Sequence, residues 1–228
     1  MSARMGFQEE LAAIHRDMIR LGSMVEEAIH KAIQALADRN AVLAHEVIAG
    51  DDAIDALERE ITRSCVSAIA RQQPVARDLR NIASNMKLVT DLERIADHAE
   101  DVSRHALSIM DSGIDVEMPS DLLIMSEVVN HMLHEALDAY VSRDLATAYH
   151  VIRIRDRVAR VGATLYNELV EAMQKTPSAI PALVELVLIV NHMQRAAGHT
   201  QNVAEWIVYY LRGTYVEDDE EPEANDPA

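Results

Sequence analysis

Apolar side chains recur along this chain at intervals of three and four residues. Leu11, Ile14, Met18, Leu21, Val25, Ala28 and Ala32 form one such stripe. Ile54, Leu57, Ile61, Cys65 and Ile69 form a second. Leu79, Ile82, Met86, Val89, Ile95, Ala99 and Val102 form a third. Spacing of this kind puts the apolar residues on one face of a helix, which then needs a partner to bury it. Interruptions near Arg39-Asn40 and at Gln72-Gln73-Pro74 separate these stripes into three helices.

Proline supplies the punctuation. The six are Pro74, Pro119, Pro177, Pro181, Pro222 and Pro227, and long proline-free stretches lie between them. Proline is tolerated mainly in the first turn of a helix, so each of the first four marks a helix start or the break before one. The stretch Asp111 to Ser120 reads as a linker, with Ser120 a candidate N-cap. Three more helices follow: Ser120 to Val141, Asp144 to Lys175, and Pro181 to Gly213, where glycine closes the last one.

The halves share local text. Val47-Ile48 and Asp52 correspond to Val151-Ile152 and Asp156, and Asp97-His98 falls opposite Gly198-His199. The expected fold is all-α: two tandem antiparallel three-helix bundles from an internal duplication. Residues 1–112 form the first bundle, 113–119 the linker and 120–214 the second bundle. Residues 215–228 are expected to be an acidic, disordered tail.

Composition agrees with long helices. Apolar residues make up 49% of the chain but aromatics only 4%. That balance argues against a sandwich or barrel of aromatic, β-branched strands. The single Cys65 excludes an intramolecular disulfide. No apolar run approaches the ~18 residues a membrane span requires. The first residues lack the apolar core of a signal peptide, so a cytoplasmic setting without membrane insertion is expected.

The formal net charge is −17. Seven of the 38 acids follow Arg212, and the remaining 31 face 21 basic residues, a net of −10. A surface this acidic argues against nucleic-acid binding, which needs cations for the phosphates. Arg153, Arg155, Arg157 and Arg160 are a local exception, either a solvated face or a docking patch for an acidic partner.

Within the acidic body one arrangement stands apart. Glu93, Asp97 and Asp101 are spaced i, i+4, i+8, and Asp51 and Asp55 are another i, i+4 pair on the preceding helix. Like charges at this spacing repel by ~0.2–0.5 kcal/mol per pair. If the two helices fold back at Pro74, Asp51 comes level with Asp97, and Asp55 with Glu93. Four carboxylates at one height suit hard cations, or iron and manganese. Two other readings fit the same spacing: solvated acids, or acids paired with arginines such as Arg77, Arg80 and Arg94. In the second half the corresponding residues are Arg155, Ala159, Gln194 and Gly198, so the set is lost there. His192 and His199 remain nearby as candidate residual ligands.

Asp91-Leu-Glu-Arg-Ile-Ala-Asp-His98 resembles the signature of the PhoU family of phosphate-uptake regulators, whose usual form has Gly at the place of Ala96. Gln73-Pro74-Val-Ala-Arg-Asp-Leu-Arg80, Val47-Ile-Ala-Gly-Asp51 and the ending Val203 to Gly213 are similar to other pieces of that family. The resemblance spans about residues 7 to 214. It implies tandem three-helix bundles and metal clusters, often of iron, held by Glu/Asp-x-x-x-Asp motifs. On this chain those ligands would be Asp51, Asp55, Glu93 and Asp97, with Asp101 where the family often has Asn.

The resemblance also implies a regulatory role. Its members act as adaptors between a phosphate ABC transporter ATPase and a membrane sensor histidine kinase, repressing the starvation response when phosphate is plentiful. A homodimer, docked to the inner face of the membrane through those partners, is the expected form.

Enzymes are disfavoured on the residues. The chain has no G-x-x-x-x-G-K-[ST] loop and no G-x-S-x-G elbow. Cys65 sits in an apolar stripe. The alternative reading is a carboxylate-bridged metal bundle with oxidase or metal-storage activity. Such bundles use two Glu-x-x-His motifs, and this chain has one, Glu27-Ala-Ile-His30.

Overall fold

The computed structural model describes residues 3–216; of the tail expected at 215–228, Tyr215 instead stacks on Tyr209 and Val216 packs on the core, and the rest lies outside the described residues. Six long helices follow in order: α1 (Ala3–Ala37), α2 (Ala41–Gln72), α3 (Ala76–Asp111), α4 (Ser120–Ser142), α5 (Leu145–Lys175) and α6 (Ile180–Arg212). A short 3₁₀ turn at Pro177–Ala179 leads into α6.

Local chemistry sets the ends. The Asn40 side chain accepts from the Leu43 N–H at 3.1 Å and opens α2. Asp144 does the same for α5, accepting from Ala146 N–H and from the Thr147 hydroxyl. Gln73 (φ 46°) and Arg143 (φ 58°) adopt the left-handed conformation that ends α2 and α4. Gly213 closes α6 at φ 88°, a region that costs glycine little. Ser120 differs from expectation: it is the first residue of α4, preceded by Pro119, and no side-chain cap forms there.

The three stripes of the first half turn inward almost completely. Ile14, Met18, Leu21, Val25, Ile61, Cys65, Ile82, Val89 and Ile95 are buried. Leu79 is the exception at 41% exposure, because the first turn of α3 lies at the margin of the bundle. Burial pushes the Cys65 thiol up to about 11, which fits a packing role.

The two bundles are not separate beads. The broadest interhelix contact is between α3 and α6, one from each bundle, and α1 also packs on α4. Both halves feed one hydrophobic cluster. Small side chains lie buried on both partners: Ala96, Ala99, Ser103 and Ala106 on α3, and Ala196, Ala197, Thr200 and Ala204 on α6. The linker is fastened as well. Arg39 reaches Asp115 at 2.5 Å and the Val116 carbonyl at 3.1 Å, while Ile114, Val116 and Met118 pack on the core. Among the described residues, no single helix is long and apolar enough to cross a membrane.

A shared core predicts shared loss. Ile95→Ala empties a fully buried site on α3 and should lower the unfolding free energy by about 2–5 kcal/mol. In urea, helicity and the Trp206 fluorescence of the second bundle should shift together to a lower midpoint.

Candidate functional site

The α2–α3 turn at Gln73-Pro74 folds the two acidic helices against each other, and their carboxylates meet. Oxygens of Asp51, Asp55 and Asp97 all lie within 4.8 Å of one another. Glu93 stands in the same electrostatic field. Burial and then the charges of Glu100, Asp97, Asp55 and Glu93 raise the Asp51 carboxyl to about 6. Asp97 and Glu93 are raised as well, again chiefly by burial.

Cations ring this patch. Arg94 Nη1 lies 3.1 Å from Asp97 and its Nε 3.6 Å from Glu93. Arg59 lies 3.0 Å from Asp55, and Arg104 2.5 Å from Glu100. Each arginine belongs to the same helix as its acid. Of the three pairing candidates, only Arg94 takes part. Arg80 donates from Nε to the Tyr210 carbonyl at 3.1 Å, and Arg77 lines a cavity between α1, α3, the end of α4 and α6. Asp51 makes no ion pair among the described residues. Glu58 and Glu100, neither of them among the candidate ligands, also stand in this field. Their signal was available: each lies one turn beyond an identified acid, at Asp55 + 3 and Asp97 + 3.

Asp101 goes elsewhere. Its Oδ2 faces His192 Nδ1 on α6 at 3.3 Å and His98 Nδ1 at 4.0 Å. His199 also reaches across to α3, pairing with Asp91 at 2.8 Å, and Asn202 donates to the same carboxylate at 3.0 Å. His192 and His199 therefore sit at the contact between bundles.

The second-repeat positions line a cavity of about 510 Å³ instead of a carboxylate patch. Arg155, Ala159, Gln194 and Gly198 are in its wall, and Gln194 accepts from the Tyr166 hydroxyl at 3.0 Å. The run Arg153, Arg155, Arg157 and Arg160 is exposed throughout. Glu27 and His30 are exposed too, and Glu27 is tied to Lys31 at 2.7 Å, so this pair does not project into a bundle core.

A family model described as the PhoU domain matches the chain twice, over residues 18–106 and 122–207. The chain belongs to the PhoU family. One PhoU relative, from Clostridium acetobutylicum, is called a phosphate-specific transport system accessory protein PhoU homolog. It is 34% identical over 92% of this chain and 96% of its own length. The crystal structure of PhoU from Pseudomonas aeruginosa superposes with a TM-score of 0.88 at 35% identity, covering 91% of this chain and all of that one. A PhoU described as a phosphate transport system regulatory protein from Streptococcus pneumoniae gives 0.84 at 26% identity, covering 92% and 99%. PhoU membership sets the chain among accessory proteins rather than enzymes.

The raised Asp51 carboxyl carries a pH signature. In metal-free protein the folded state holds this proton up to about pH 6, whereas the unfolded chain releases it near 3.8. Stability from this group is therefore complete below pH 4 and lost as pH rises through 6. Asp51→Asn should match wild type at pH 4 and melt at a higher temperature than wild type at pH 7.5, as read by calorimetry in EDTA.

Proposed function

We propose that this chain is a regulator of phosphate transport that carries a metal ion on its first repeat. The observation behind the role is the double PhoU-domain match along the chain, together with relatives named as transport-system accessory proteins. In this reading it works on the cytoplasmic side as an adaptor between the ATPase of a phosphate ABC transporter and a membrane sensor histidine kinase. It holds the starvation response off when phosphate is plentiful.

The residues of the first repeat fit a metal. Asp51, Asp55 and Asp97 offer three converging carboxylate oxygens, with Glu93 beside them. An all-oxygen donor set suits a hard cation, or iron or manganese in carboxylate bundles. The bound ion would supply positive charge to a patch whose acids otherwise repel. Arg94 and Arg59 each engage one oxygen of Asp97 and Asp55, and the ion would take the other oxygen or displace them. Arg155 and Gly198 leave the second repeat without such donors, so one cluster per chain is the reading.

Two measurements test the proposal. Elemental mass spectrometry on protein purified without chelator should find metal in wild type, and less in Asp97→Ala; equal metal in both would remove it from this patch. Deleting the gene in its host should raise starvation-gene expression in phosphate-replete medium, with restoration by the wild-type copy. Unchanged expression would overturn the regulatory role.

A further inference from the structure

Helices α3 and α6 lay four imidazoles in a row across the contact between the bundles. Ring centroids are 5.2 Å apart for His105 and His192, 5.3 Å for His192 and His98, and 5.6 Å for His98 and His199. The outer two have carboxylates of their own. His105 Nδ1 lies 2.6 Å from Glu185, and His199 Nδ1 2.8 Å from Asp91. The inner pair shares one acid. His98 Nδ1 and His192 Nδ1 face each other at 3.2 Å, and Asp101 Oδ2 stands 3.3 Å from the second and 4.0 Å from the first.

Protons alone do not settle this meeting. If His98 donates from Nδ1 to His192, the lone pair of His192 that accepts also faces the Asp101 carboxylate. If His192 donates instead, His98 accepts at Nδ1 and carries its proton on Nε2, which is buried without an acceptor among the described residues. A cation in the centre turns the convergence at Nδ1 into three ligand bonds, although it too leaves Nε2–H of His98 unpartnered. Bonds of ~2.0–2.1 Å to a tetrahedral ion put neighbouring donors about 3.3 Å apart. Two of the three separations match that edge, and the third is 0.7 Å longer, within reach of a rotation of the half-exposed Asp101.

We propose that His98, Asp101 and His192 form a second metal site, selective for a first-row transition ion such as Zn²⁺, that staples the two bundles together. Two imidazoles favour such an ion over Mg²⁺ or Ca²⁺. Three protein ligands leave a fourth position for water. His98 is buried, whereas 41% of the Asp101 side chain and 17% of that of His192 reach solvent, which gives the ion a way in. The charge of the exposed Arg195 reaches both imidazoles. The ligand set shares no residue with Asp51, Asp55, Glu93 and Asp97, so this site stands or falls apart from the metal proposed there.

Cobalt reports the difference. The full-length chain, stripped with EDTA, is titrated with Co²⁺ at neutral pH and followed by the visible bands of four-coordinate cobalt. Wild type should develop them, and added Zn²⁺ should remove them. His192→Gln and Asp101→Asn change half-buried residues and should leave folding intact by circular dichroism. Each should weaken Co²⁺ affinity, read from the titration midpoint, by more than the roughly 10–100-fold that loss of an outer-shell partner costs. Asp55→Asn should keep the bands while losing metal at the carboxylate patch. Absence of the bands in wild type, or their persistence unchanged in His192→Gln, would overturn the site.

Discussion

Packing of α3 against α6 is the contact on which the rest of this molecule depends. Each helix belongs to a different bundle, yet their mutual contact is broader than any contact inside a bundle. The buried alanines, serine and threonine on both surfaces cost little side-chain entropy and leave room for close approach. Because the crossing is long, it also sweeps up polar residues that a bundle core would exclude. His98, His192, His199 and Asp91 are placed by it. Burial lowers His98 to about 4, with the charge of His192 the next cause, so this imidazole is neutral at physiological pH.

The same helix α3 carries two kinds of chemistry on two of its faces. Toward α2 it presents Glu93 and Asp97, whose charges are held together at a cost visible in their raised carboxyls. Toward α6 it presents His98 and Asp101. The residues alternate along a few turns because a helix separates side chains by about 100° per residue. Helix α3 therefore joins the acidic patch it shares with α2 to the imidazoles it shares with α6.

Duplication set the frame, and substitution then gave the halves different surfaces. Asp51 and Asp97 answer to Arg155 and Gly198. Removing carboxylates and a side chain at Gly198 opens a cavity where the first half has a crowded acidic patch. The first half gains charge density; the second gains exposed arginines at 153, 155, 157 and 160.

Periodicity and punctuation determined most of the fold. Apolar residues three and four apart can be buried only on one helix face, and proline with Asn40 and Asp144 at helix starts and Gln73 and Gly213 at helix ends fixed the boundaries. Symmetry about Pro74 was enough to bring Asp51, Asp55 and Asp97 together, because neighbours in an antiparallel pair follow from counting residues. Counting does not say how far a flexible guanidinium reaches, so Arg94 closing on Asp97 and Glu93, and Arg59 on Asp55, came only with the side chains in place. Nor does it relate helices of different bundles, whose relative rotation is set by packing. That rotation set His192 against His98 and Asp101, a meeting of residues 94 apart in the chain that only the tertiary structure decided.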